Sequence, residues 1–154
     1  MEVEIDRFIG DTLTEYVEKV MVPRPMWELV DPLEKPERVV THLGVAFASY
    51  HPREERMYFN EYTLSWAWKK DPEKAKRFAR FLVAEEYWHH VQKKRGVIFF
   101  DKFYRARPIV EWEAKKQAEF LSGISQAEMR DLVRYLFGLR GPLAWGYLRG
   151  SFGS

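Results

Sequence analysis

The stretch Val83–Gln92 reads VAEEYWHHVQ and places Glu85, Glu86, His89 and His90 within six consecutive positions. Carboxylate oxygens and imidazole nitrogens are the side-chain groups that ligate divalent metals and shuttle protons in general acid–base chemistry. Projected at helical pitch, Phe78, Phe81, Leu82, Glu85, Trp88, His89 and Gln92 share one face, and Lys76, Arg80, Tyr87 and Lys94 fall opposite. Glu85 and His89, four apart, are neighbours on the helix surface and sit in the middle of the apolar stripe. Glu86 lies at its edge and His90 further round. Polar groups aimed into a core are costly unless they pair with one another or bind a metal. The plain alternative is a buried Glu85–His89 hydrogen bond.

The element that must carry this row is a helix over 72–94. Asp71 is a good N-cap, Pro72 suits the first helical position, Glu73 favours the first turn, and Gly96 stands just beyond the end. Upstream, Phe8, Ile9, Leu13, Tyr16, Val17 and Val20 have helical spacing and predict a first helix over 5–21. VPRPMWELVDPLEKPE holds four prolines and reads as an irregular connector anchored by Trp27 and Leu29. Residues 39–50 alternate toward β-formers, HPREE is a polar turn and RMYFN a second strand, so a β-hairpin is expected, followed by a short helix over 61–69. VIFFDKFY reads as a strand or an extended arm. A helix over 108–122 follows, and Ser125 with Glu128 marks the capping box of another that runs to about Phe137. The expectation is a single helix-rich α+β domain over residues 1–140 with a small antiparallel sheet or hairpin. Residues 141–154 form a Gly-rich C-terminal tail.

FLVAEEYWHHVQ resembles the active-site helix of the neutral zinc metallopeptidases, whose pattern reads much like VxAHEYGHHVQ. Val83, Ala84, Glu86, Tyr87, His89, His90, Val91 and Gln92 match it as they stand. Trp88 replaces a small residue, and Glu85 replaces the first zinc-binding histidine, giving EExxH in place of HExxH. RMYFNEYTLS upstream is similar to the strand-to-helix passage of that zincin fold, and IVEWEAKKQAEFLSGIS downstream to the helix that supplies a third ligand. The resemblance is specific over ten residues and looser over about 60. It implies a zincin-like fold, zinc as cofactor, a peptide or protein substrate, His89 as a metal ligand, Glu86 as general base and Glu85 in the place of the first ligand. Glutamate can bind zinc, but a second anionic ligand lowers the ion's net charge and its power to polarise water.

The third ligand has two candidates. The family's ExxA pattern matches EWEA, which begins at Glu111. Helical phase favours Glu113 instead: Val110, Glu113, Ala114, Gln117 and Leu121 share a face, whereas Glu111 points sideways. Glu85, His89 and Glu113 are thus the expected metal ligands, Gln117 a hydrogen-bonding partner behind them, and Glu111 and His90 further candidates.

Composition bounds the remaining choices. A chain of 154 residues that is 46% hydrophobic can bury a sizeable core. With 25 basic and 23 acidic residues, a dedicated nucleic-acid protein is disfavoured, although KKRG, Arg105, Arg107 and the arginines of the tail can form a local basic face. No cysteine is present, so thiolate sites and disulfides are excluded. No apolar run reaches membrane-span length and no signal-peptide core stands at the N-terminus, which suggests a soluble, cytoplasmic protein. The richness in Lys, Arg and Glu suits a thermophile. The leading expectation is a zincin-like metallopeptidase homologue with an altered metal site, an atypical or inactive hydrolase. One alternative is a non-catalytic binding or scaffold protein on the same fold. Another is a ferritin-like carboxylate-bridged iron protein, for which Glu86-x-x-His89 with Glu61, Glu111 and Glu113 supplies part of the ligand set. That class needs a second ExxH, and neither His42 nor His51 stands in one.

Overall fold

The computed structural model describes residues 1–41, 44–97 and 107–138. Six helices and five strands lie in them: α1 (Glu2–Val20), β1 (Met26–Val30), α2 (Pro36–Val39), β2 (Val40–Thr41), β3 (Gly44–Val45), β4 (Ala48–His51), β5 (Arg56–Asn60), α3 (Glu61–Lys70), α4 (Pro72–Lys94), α5 (Arg107–Ser122) and α6 (Gln126–Phe137). The chain is a helix-rich α+β single domain, as its patterning predicts.

Local chemistry sets most of the boundaries. Asp71 accepts from the Lys74 amide at 3.1 Å and Pro72 opens α4. Ser125 accepts from the Glu128 amide at 3.0 Å and opens α6. Each side-chain acceptor satisfies an amide that the first helical turn leaves without a partner. Asn60 does the same for Thr63 at the start of α3, so β5 runs directly into a helix. Past the end of α4, Gly96 takes φ +83°, a left-handed turn that residues with a Cβ rarely adopt.

The hairpin is present: β4 and β5 pair antiparallel, Ala48 opposite Phe59 and His51 opposite Arg56, around the turn at residues 52–55. The expected first strand is broken into pieces, with β2 and β3 forming a separate two-residue ladder. The proline-rich connector is corrected. Its MWELV run is β1, which pairs parallel with β5 from Met26–Arg56 to Val30–Asn60. The three-stranded sheet, in order β1-β5-β4, is therefore mixed rather than antiparallel. Nothing local announces β1, because its partner is 30 residues away and the flanking prolines dominate the pattern. VIFFDKFY, His42 and the tail over 141–154 lie outside the described residues.

α4 is the axis of the domain. Every residue from Phe81 to Gln92 is buried, which no amphipathic surface helix shows. The opposite face of α4 is covered at its centre: Tyr87 is fully buried and its hydroxyl donates to the Val22 carbonyl at 2.6 Å, while Lys94 is exposed. α1 packs on this helix through Ile5, Ile9, Leu13 and Tyr16, and the Tyr16 hydroxyl donates to the Arg80 carbonyl at 2.9 Å. On the other side α5 makes the most extensive helix–helix contact, presenting Val110, Ala114, Ala118 and Leu121. Two fully buried alanines in that stripe allow the helices to approach closely.

The close α4–α5 seam gives a direct test. Ala118→Leu adds bulk where no space exists and is expected to cost ~1–3 kcal/mol of stability in urea unfolding. Ala127→Leu, on the exposed side of α6, is expected to change stability by less than ~0.5 kcal/mol.

Candidate metal centre

Helix α4 delivers Glu85 and His89 one turn apart, and the first turns of α5 bring Glu111 across from them. One ligand-type atom from each of the three lies within 4.8 Å of the others. The His89 Nε2 is 3.5 Å from the Glu111 Oε2. Glu85 is 0% exposed, Glu86 1% and His89 5%, so water screens none of these charges well. Five buried side-chain polar atoms in the described residues have no hydrogen-bond partner. Four of them are here: both oxygens of Glu85, Oε2 of Glu86 and Oε2 of Glu111. Folded proteins rarely leave buried carboxylate oxygens unsatisfied, and a concentration of them calls for protons or a cation.

The electrostatics follow from that crowding. Burial pushes the Glu85 carboxyl well above the usual range, the negative charges of Glu86 and Glu111 push the same way, and Lys115 opposes them. Burial also lifts Glu86 to about 8, against the attraction of His89 and with the help of Glu111. For His89, burial alone favours the neutral ring. The nearby charge of Glu111, then Glu86 and the Gln92 hydrogen bond, outweigh it and raise the ring to about 9. Without a metal, these shifts favour the protonated forms of Glu85, Glu86 and His89. A divalent ion offers the same oxygens a stronger partner, and its binding releases protons.

The structure sorts the remaining candidates. Glu111, expected to point sideways, joins Glu85 and His89; Glu113, expected to be the third ligand, stands outside the group. The Glu113 Oε1 accepts from Trp88 Nε1 at 2.8 Å and from Gln92 Nε2 at 3.1 Å. The reason is helical phase. The buried stripe of α5 runs through Ala118 rather than Gln117, which turns the helix so that Glu111 flanks the contact with the ligand row and Glu113 flanks the other side. Gln117 is half-buried one turn beyond Glu113, outside the group. The residue that supports the ring is Gln92, whose Oε1 lies 2.9 Å from His89 Nδ1. Its signal in the sequence is its position: three residues after His89, on the same stripe. His90 is used elsewhere. Its Nδ1 meets the Tyr50 hydroxyl at 2.8 Å and it makes a backbone hydrogen bond to Pro23, and burial holds its pKa below the ordinary histidine value. It ties α4 to the sheet and to the segment before β1. The basic run after α4 is partly spent: Lys94 pairs with Glu55, Lys93 donates to the Pro52 carbonyl at 3.3 Å, and Arg95 lies over the Trp88 ring.

No described protein family, curated protein or solved structure matches the chain. No helix among the described residues is long and apolar enough to cross a membrane.

The raised pKa values set a pH dependence for the metal-free protein. The folded state holds more protons than the unfolded chain between 4.5 and about 8 at Glu86, and between 6.5 and about 9 at His89. Stability therefore falls as pH rises through those windows. The melting temperature of chelator-treated protein is expected to be higher at about pH 5.5 than at about pH 8.5. Glu85→Gln, which removes an acid that resists ionising, is expected to raise the value at the higher pH. An unchanged pH slope in Glu86→Gln would show that the centre does not hold these protons.

Proposed function

We propose that the chain is a zincin-like metallopeptidase homologue that holds a divalent metal, zinc by ligand chemistry, through Glu85, His89 and Glu111. The observation that supports this reading is the convergence of those three side chains inside the core, with both Glu85 oxygens and one Glu86 oxygen left without hydrogen-bond partners beside them. Zinc accepts imidazole nitrogen and carboxylate oxygen together. The EExxH helix followed by a glutamate from the next helix keeps the order of the family's ligand set. When bound, the ion supplies Lewis acidity toward a water molecule. Glu86 is the adjacent carboxylate and the proton acceptor of the proposed chemistry. Glu85 adds an anionic ligand where the family has a neutral one. That weakens the polarisation a substrate would meet, so the reading is a metal-binding homologue with attenuated hydrolytic chemistry. Trp88 adds bulk beside the centre, where the family pattern has a small residue.

A second reading draws on the same carboxylates. Three glutamates around one histidine form a hard, oxygen-rich donor set that also suits iron or manganese. The chain carries no second ExxH to complete a two-iron site.

Metal analysis of protein purified without chelators, followed by calorimetric titration with zinc, manganese and iron(II), separates these readings. Zinc at one equivalent is expected, with His89→Ala and Glu111→Ala each losing at least tenfold in affinity and Glu113→Ala losing less. No binding of any divalent ion would end the metal reading and leave a scaffold protein with a protonated acidic core. Glu85→His together with Trp88→Gly is expected to create zinc-dependent cleavage of quenched peptides that Glu86→Ala abolishes. A double variant that binds zinc and cleaves nothing would assign the fold to binding rather than hydrolysis.

A further inference from the structure

The side chain of Gln92 is 2% exposed and makes three hydrogen bonds. Its Nε2 lies 3.0 Å from the Val110 carbonyl oxygen and 3.1 Å from Glu113 Oε1. Neither group can donate, so the amide nitrogen must face α5. Turning the amide over would set its carbonyl oxygen against another carbonyl and a carboxylate inside a buried contact. The Oε1 is thereby committed to His89 Nδ1 at 2.9 Å. An amide oxygen only accepts, so Nδ1 must carry the hydrogen. The other ring nitrogen, Nε2, faces Glu111.

We propose that Gln92 is the positioning residue of the centre, and that with Glu113 behind it, it holds His89 with the proton on Nδ1 and makes Nε2 the metal-coordinating nitrogen. This rests on the metal-binding reading above. A hydrogen-bond acceptor on the nitrogen away from the metal fixes both the tautomer and the orientation of a ligating histidine. Here the acceptor is itself held from two sides. Glu113 is fixed by the indole of Trp88, and Trp88 is covered by the Arg95 guanidinium at 5.2 Å. The arrangement also does more than orient a ring. Val110 immediately precedes Glu111, so the amide that aims His89 on α4 also grips the backbone beside the Glu111 ligand on α5. One side chain sets the relative placement of ligands from two helices.

Two measurements test this. Nitrogen-15 NMR of histidine-labelled protein, with His89 assigned through His89→Ala, reads the protonation of each ring nitrogen. In metal-free protein above the ring's titration and in zinc-loaded protein, Nδ1 is expected to be protonated. A proton on Nε2 in the metal-free protein, or zinc on Nδ1, would overturn the proposal. This readout needs no variant, and the metal-free arm stands even if zinc fails to bind, so it is separate from the test of the metal centre. In the second measurement, Gln92→Leu is expected to weaken zinc binding by about 10- to 100-fold. The exchange Gln92→Glu with Glu113→Gln keeps an acceptor toward His89 and a donor between the two positions but loses the donor to the Val110 carbonyl, and is expected to recover part of the lost affinity. Gln92→Glu alone, which sets two carboxylates together, is expected not to. Wild-type affinity in folded Gln92→Leu, or equal loss in the single and exchanged variants, would reduce Gln92 to a packing residue.

Discussion

Every part of this fold answers to one constraint: three glutamates and a histidine share a space from which water is excluded. Burial and mutual repulsion keep Glu85 and Glu86 from carrying their ordinary charges there, and among the described residues no arginine lies buried within the group. Such a cluster opposes folding unless protons or a cation occupy it. A sequence selected only for packing would place Leu or Ala at Glu85. The cost of that carboxylate is therefore the strongest physical reason to assign a ligand-binding role to α4.

The surrounding architecture holds that cluster closed. α1, the sheet, α3, α5 and α6 all contact α4, so no face of its central three turns reaches solvent. The two ends of the ligand set differ in how they are held. Glu85 and His89 ride on a helix fixed along its length by aromatic side chains such as Phe78, Phe81 and Tyr87. Glu111 rides on a helix held through small residues and one buried amide, Gln92. The Ala114–Ala118 stripe decides how near the two helices come.

Much of this is legible without coordinates. Caps at Asp71 and Ser125 mark α4 and α6 because their side chains act on amides three residues away, within the same local window. The hairpin is legible from its polar turn for the same reason. β1 is not, since its parallel partner supplies the only evidence for it. At the centre, spacing alone identifies Glu85 and His89 as a buried pair. It separates Glu111 from Glu113 less well, because those residues straddle the apolar stripe of α5 and a small rotation exchanges their roles. Gln117 reads as well as Ala118 for that stripe until the packing against α4 is known. Tyr87 reads as the outer face of α4 and His90 as a further ligand candidate round from the stripe, since a projection of one helix does not show that a second layer covers it.

Part of that second layer is held at two adjacent positions of the chain. Consecutive residues Val22 and Pro23 receive Tyr87 and His90 from the back of α4, opposite the ligand row. These contacts fix the angle at which α4 stands about its own axis, and the ligand row inherits that angle. In front of the centre, α5 closes it, with Ile109, Trp112 and Phe120 exposed on its outer face. Because Glu111 comes from α5, a local opening of that helix would uncover the acidic cluster without disturbing the packing of α1 and the sheet on α4. An ion reaching the buried carboxylates would then enter by the rate at which one helix lifts, rather than by passage through a standing channel.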